Sequence, residues 1–105
     1  MSRAANPARG EAAMLVGGAK LVLRPNFSAL VAAEAELGPL FALVERAAEG
    51  RLTLAEMAGL FWHCVHERPE GCTREAIGAA VAEGGLAKAT PVLKMLLTQI
   101  VQGRV

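Results

Sequence analysis

Glycine and proline cut this chain into short pieces, and that punctuation limits the fold more than any other feature. Gly17-Gly18, Gly38-Pro39, Gly50, Pro69 with Gly71, Gly84-Gly85 and Gly103 leave no segment longer than about twenty residues between breaks. The pieces differ in kind. In "EAAMLVGGAKLVL" two short apolar runs flank Gly17-Gly18, a pair that accepts the positive φ angles of a tight turn. The spacing predicts a β-hairpin over 11–23, with Leu21 and Leu23 on one face and Lys20 and Val22 on the other. A lone hairpin is marginal in water, so it must lie on something.

The remaining pieces, within 25–102, read as helices. Pro25 suits the first turn of "RPNFSALVAAEAELG", which Gly38 can close. Pro39 starts a second helix that ends at Gly50. "TLAE" at 53–56 is a capping box, in which Thr53 and Glu56 satisfy each other's exposed backbone donors. It opens a third helix expected to run to about Glu67. A fourth begins near Thr73 and stops at Gly84-Gly85. Thr90-Pro91 is the expected entry to the last helix, which fades at Gly103. The predicted fold class is α+β, mostly α: an N-terminal β-hairpin packed on about five short helices. Residues 1–10 read as a flexible arm, and 11–105 as a single domain. Alanine, leucine and valine dominate a 53% hydrophobic composition with 4% aromatic residues and no tyrosine, which favours helix over sheet.

Charge and cysteine usage narrow the function classes. The formal net charge is +1, so nothing global draws the chain to nucleic acid or anionic lipid. Residues 1–24 lean basic and 25–69 lean acidic, which describes a basic arm beside an acidic helical body. There is no aspartate, which removes most Asp-based calcium and magnesium sites. Two cysteines are too few for a disulfide framework. The first residues lack the apolar core of a signal peptide, and the longest uncharged run, "MAGLFWHCVH", is far shorter than a membrane span. The expectation is a reduced, cytoplasmic protein with no membrane partner.

"FWHCVHERPEGC", residues 61–72, holds both histidines, both cysteines and the one tryptophan. On a helical wheel Leu54, Met57, Ala58, Phe61 and Val65 form the core stripe of the third helix. His63 lies opposite, toward solvent. His66 shares its side, so the two could chelate a metal, while Cys64 flanks the core edge as a half-buried thiol. No spacing matches a zinc pattern, so the plainer expectation is no metal: a surface histidine and a boundary histidine. Neither Cys64 nor Cys72 has an activating base in view, and no aspartate can complete a serine triad with Ser2 or Ser28. "LVGGAK" misplaces its lysine for a P-loop.

Three further features admit more than one reading. Glu34 falls among Phe27, Leu30, Val31 and Leu37, on the apolar side of the first helix. It is either a raised-pKa acid or a carboxylate satisfied by Arg24 or by the backbone donors of a helix start. The third and fourth helices have lengths that permit a helix-turn-helix, but "TREAIGAAVAEGG" offers few polar residues to read bases. Val92, Leu93, Leu96, Leu97, Ile100 and Val101 cover about half the wheel of the last helix. That surplus is either buried against the other helices or covered by a partner or a second copy, with Leu93, Leu97 and Val101 as the candidate partner-binding residues.

"ANPARGE" leading into a Gly-turned hairpin, then "LRPNFSAL…E…LG", resembles the small tail proteins of gene transfer agents and related phages. That family is grouped with phage tail assembly chaperones and sometimes labelled tail tube protein. The matching positions are Asn6, Arg9, Gly10, Glu11, Gly18, Leu23, Arg24, Pro25, Phe27, Leu30, Glu34, Leu37 and Gly38, and "GRLTLAEMAGLFW" is similar too. Together they cover roughly the first two thirds of the chain. Ala33 departs from the pattern, standing where a larger aliphatic residue is expected. The resemblance implies a non-enzymatic role without cofactors: a chaperone that keeps the long tape-measure protein soluble until the tail tube polymerises. The alternatives are a structural tail component and a small helical DNA-binding regulator. The expected partner is the tape-measure or another tail protein, with self-association as a further option.

Overall fold

The computed structural model describes residues 11–103. The arm expected over residues 1–10 lies outside the described residues, as do Asn6, Arg9 and Gly10 of the family pattern. The elements run β1 (Ala12–Val16), β2 (Ala19–Leu23), α1 (Phe27–Leu37), α2 (Leu40–Ala48), α3 (Leu54–Cys64), β3 (Val65–His66), α4 (Arg74–Gly84) and α5 (Leu86–Gln102). This is the expected α+β architecture, mostly α, with the hairpin at its start.

Gly17 and Gly18 both hold positive φ, +55° and +82°, the type I′ geometry whose twist matches the flanking strands. The hairpin pairs Val16 with Ala19 and Ala12 with Leu23. Leu21 and Leu23 face the core as expected. β1 packs against α4 and α5, which supplies the support the hairpin needs.

β3 was not foreseen. The third helix was expected to reach Glu67, yet it stops at Cys64. Val65 and His66 turn extended and pair antiparallel with Leu23 and Val22, and Arg24 N–H adds a bond to the Cys64 carbonyl at 2.7 Å. Completing the edge of β2 outweighs one more turn of helix, and β-branched Val65 suits the strand. Glu67 then takes a left-handed φ of 51°, uncommon for a residue with a side chain.

Helix caps follow the sequence closely. Asn26 Oδ1 accepts from Ala29 N–H at 2.9 Å, so α1 begins two residues after Pro25 rather than at it. Thr53 and Glu56 form both halves of the capping box. Thr73 caps α4 through Ala76 N–H. The expected entry of the last helix at Thr90-Pro91 is too late. Gly85, at φ +86°, separates α4 from α5 in a single residue, and α5 starts at Leu86 with Pro91 inside it. Pro91 lies in the second turn, past the free N–H groups of the helix start, so the Ala87 carbonyl lacks its usual donor; beside it Thr90 Oγ1 donates to the Leu86 carbonyl at 2.7 Å.

The core gathers Leu23, Leu43, Leu60, Phe61, Ile77 and Leu96, each fully enclosed. Leu93 belongs to the same cluster. Leu54, expected on the core stripe of α3, is instead exposed, and Leu60 takes the inward place.

Candidate functional site

α1 packs on α3 through a narrow stripe. Ala33 is fully buried, Leu30 and Leu37 are half-buried, and Leu37 lies over Gly59, where an added Cβ would sit 3.4 Å from Leu37 Cδ2. Small Ala33 lets the helices approach. This rotates α1 away from the face its larger side chains suggested. Phe27 is 85% exposed and Val31 49%. Glu34 is exposed rather than buried, and its Oε2 accepts from Leu40 N–H at 3.1 Å, so it serves the start of α2. Of its two expected partners, the backbone donor at a helix start is the one it takes. On α2, Leu43 points into the core while Phe41 is 83% exposed. Adjacent helices therefore present two phenylalanines and a valine to solvent, and a folded chain gains nothing from leaving such rings uncovered.

Ionic contacts link the elements of the body to one another. Arg24, the other candidate partner of Glu34, pairs with Glu11, at 2.8 Å from Nε and 2.5 Å from Nη2. Glu11 is almost fully buried, so this pair ties the start of β1 to the end of β2. Arg46 of α2 pairs with Glu56 of α3. Glu36 of α1 accepts from His63 Nε2 at 2.7 Å and from both guanidinium nitrogens of Arg74. Hydrogen bonds from Arg74 first, then from His63, hold the Glu36 carboxyl down at about 2. Glu56 is also lowered, chiefly by the Thr53 backbone N–H.

These contacts correct the reading of the histidine and cysteine cluster. His63 is not a solvent-facing side chain: its side chain is 16% exposed and linked to Glu36. His66 lies on β3 rather than on α3, beside Glu67 at 3.5 Å. Both histidines border one shallow cleft, but each imidazole is turned to its own carboxylate, and helical i, i+3 spacing no longer relates them. Cys64 is buried rather than half-buried, and burial pushes its thiol up to about 12. Among the described residues no three of His, Cys, Asp and Glu gather as a metal site would need. Arg68 stacks over Trp62, 3.6 Å from the ring centroid, and donates to its carbonyl. At the start of α4, Thr73 is a cap and Arg74 is held by Glu36, so the polar residues a reading helix would use are engaged within the protein.

On α5 the three candidate partner-binding residues separate. Leu93 is buried in the core, Leu97 is half-buried and Val101 is 59% exposed. A groove of about 780 Å³ runs between the hairpin and the α4–α5 junction, with Leu15, 67% exposed, on its rim. Among the described residues no single helix is long and apolar enough to cross a membrane. Sequence reasoning assigned Phe27 and Val31 inward and gave Phe41 no role. What it lacked was any local sign that α1 would turn Ala33, rather than Phe27 and Val31, inward.

Comparison with curated proteins and with solved structures gives no match. A family model described as phage tail tube protein, GTA-gp10, matches residues 9–103. That span takes in the hairpin and all five helices, including the last third, which the N-terminal pattern did not reach. The chain belongs to the GTA-gp10 phage tail tube protein family.

Proposed function

We propose that the chain acts in tail assembly as a chaperone, binding amphipathic helices of the tape-measure protein in the cytoplasm through the α1–α2 face. The observation that carries this reading is the exposure of Phe27 and Phe41 on adjacent helices, with Val31 beside Phe27. Covering a phenylalanine is worth about 1.5–3 kcal/mol before association costs, so one copy holds its partner weakly. Weak contacts repeated along a very long partner add up, yet each can be released as tube subunits close around it. Leu97 and Val101 of α5 form a second, smaller contact in this proposal; Leu93 contributes by shaping the core beneath them. The work is binding, without catalysis or cofactor.

Co-expression with a tape-measure fragment tests it. The chain should raise the soluble fraction of the fragment, and the double variant Phe27→Ser/Phe41→Ser should lose that effect while keeping its helical circular dichroism. Equal solubilisation by the double variant would overturn the assignment of the face. The family match favours a second reading, a structural subunit of the tube. The two part company in purified particles: a subunit remains in them at high copy, and a chaperone is left behind.

A further inference from the structure

We propose that the outer edge of β1, with the groove beside it, is a strand-addition site for an extended segment of another polypeptide in which carboxylates flank a short apolar stretch. The site is separate from the α1–α2 face and does not depend on its role.

The hairpin turn fixes which backbone groups are available. In a two-residue type I′ hairpin the closing pair, here Val16 and Ala19, is hydrogen-bonded, and bonded pairs then alternate along the ladder. Met14 and Ala12 therefore bond to β2. Ala13 and Leu15 turn their N–H and C=O groups the other way. β1 is the edge of the sheet, and among the described residues no backbone bond beyond the ladder reaches either residue. Edge strands are usually blunted by a lysine, a proline or a bulge. "AAMLV" has none of these, and its register is unbroken.

Ala13 and Leu15 also line the groove between the hairpin and the α4–α5 junction. The groove has apolar walls from Val81 and Val92, with Leu15 at its rim. Its charge selects the occupant. Lys20 and Lys88 border it and make no ion pair among the described residues; Glu83 is the one carboxylate there, which leaves a net positive groove. Pairing of β1 with β1 of a second copy would bring two such positive grooves together, and like charges oppose it. A segment with acidic flanks places its carboxylates at the ammonium groups while its backbone completes the bonds of Ala13 and Leu15.

The test uses the full chain and a defined probe, acetyl-Glu-Val-Thr-Val-Glu-amide, with amide hydrogen exchange followed by NMR. The acidic peptide should slow exchange at Ala13 and Leu15 several-fold, and the same peptide with lysine in place of glutamate should not. Of its two alternately N-methylated forms, only the one that keeps free N–H groups toward β1 should protect. Leu15→Pro removes an outward N–H without touching the ladder and should abolish protection. The double variant Lys20→Glu/Lys88→Glu should transfer the preference to the lysine peptide, and it decides the matter if Leu15→Pro misfolds. Absence of protection by the acidic peptide, equal effects of the two N-methylated forms, or concentration-dependent protection of the chain alone would each overturn the proposal, the last in favour of self-pairing.

Discussion

Arg74, the first residue of α4, grips the Glu36 carboxylate near the end of α1 with both guanidinium nitrogens, across 38 positions of sequence. His63 of α3 shares the same carboxylate, so one side chain fastens three helices. Bidentate geometry makes this stronger than an ordinary surface pair, although the exposed position weakens it through solvent screening.

Acid should loosen that fastening in a defined window. The ordinary value for Glu36 is 4.5, and Arg74 with His63 holds it at about 2 in the folded chain. Above pH 4.5 the stabilisation is fully present. As pH falls from there toward about 2 the unfolded chain takes up the proton more readily, and the contribution drains away. Urea midpoints measured against pH should show the decline, and Glu36→Gln should lower the neutral-pH midpoint and flatten the slope. Some slope should persist, because Glu56 is lowered as well.

Ala33→Leu should destabilise the fold. Ala33 is fully enclosed, on a helix that packs mainly on α3. Overpacking such a site typically costs about 1–3 kcal/mol. The loss should appear in thermal or urea unfolding. A neutral result would mean that α1 can roll outward, and the exposure of Phe27 would then change, which fluorescence from an engineered neighbouring probe would register.

Gly78→Ala should act in the opposite direction. Gly78 lies inside α4, and a Cβ there would meet Ala58 Cβ at 3.7 Å, an ordinary contact. Alanine restores helix propensity and restricts the unfolded chain, worth roughly 0.5–1 kcal/mol. A rise in unfolding midpoint of that order is expected. A fall would mean that α3 and α4 approach more closely than this spacing.

Local chemistry made part of this structure legible in sequence. Gly17-Gly18 dictates its turn, Thr53 with Glu56 its cap, and Gly38 and Gly85 the ends of their helices, because each acts within a few residues. What was hidden depends on distant partners. Val65 and His66 become a strand because β2 has a vacant edge, which no helical wheel contains. Phe27 looks like a core residue by size and spacing, but Ala33 is the residue that α1 buries, on a helix whose main packing partner is α3. Glu11, the one carboxylate among residues 1–24, proves to be a buried partner of Arg24. The alternative positions for these side chains differ by packing, and packing is set by the whole fold rather than by neighbours in sequence.

The two thiols should react at very different rates. Cys64 is buried at the end of α3, 1% exposed, and its thiol is pushed up to about 12 by desolvation. At pH 8 very little of it is the thiolate that attacks a labelling reagent, and burial blocks access to it as well. Cys72, in the turn before α4, is partly exposed. Ellman's reagent on the native protein should therefore titrate one thiol rapidly, and Cys72→Ser should remove that fast phase. The second thiol should appear only at the rate of opening of the core, so denaturant should accelerate it and leave the first nearly unchanged. Two equally fast phases in the native protein would mean that the Cys64–Val65 junction opens readily, and the short pairing of β3 with β2 would then be too weak to end α3 where it does.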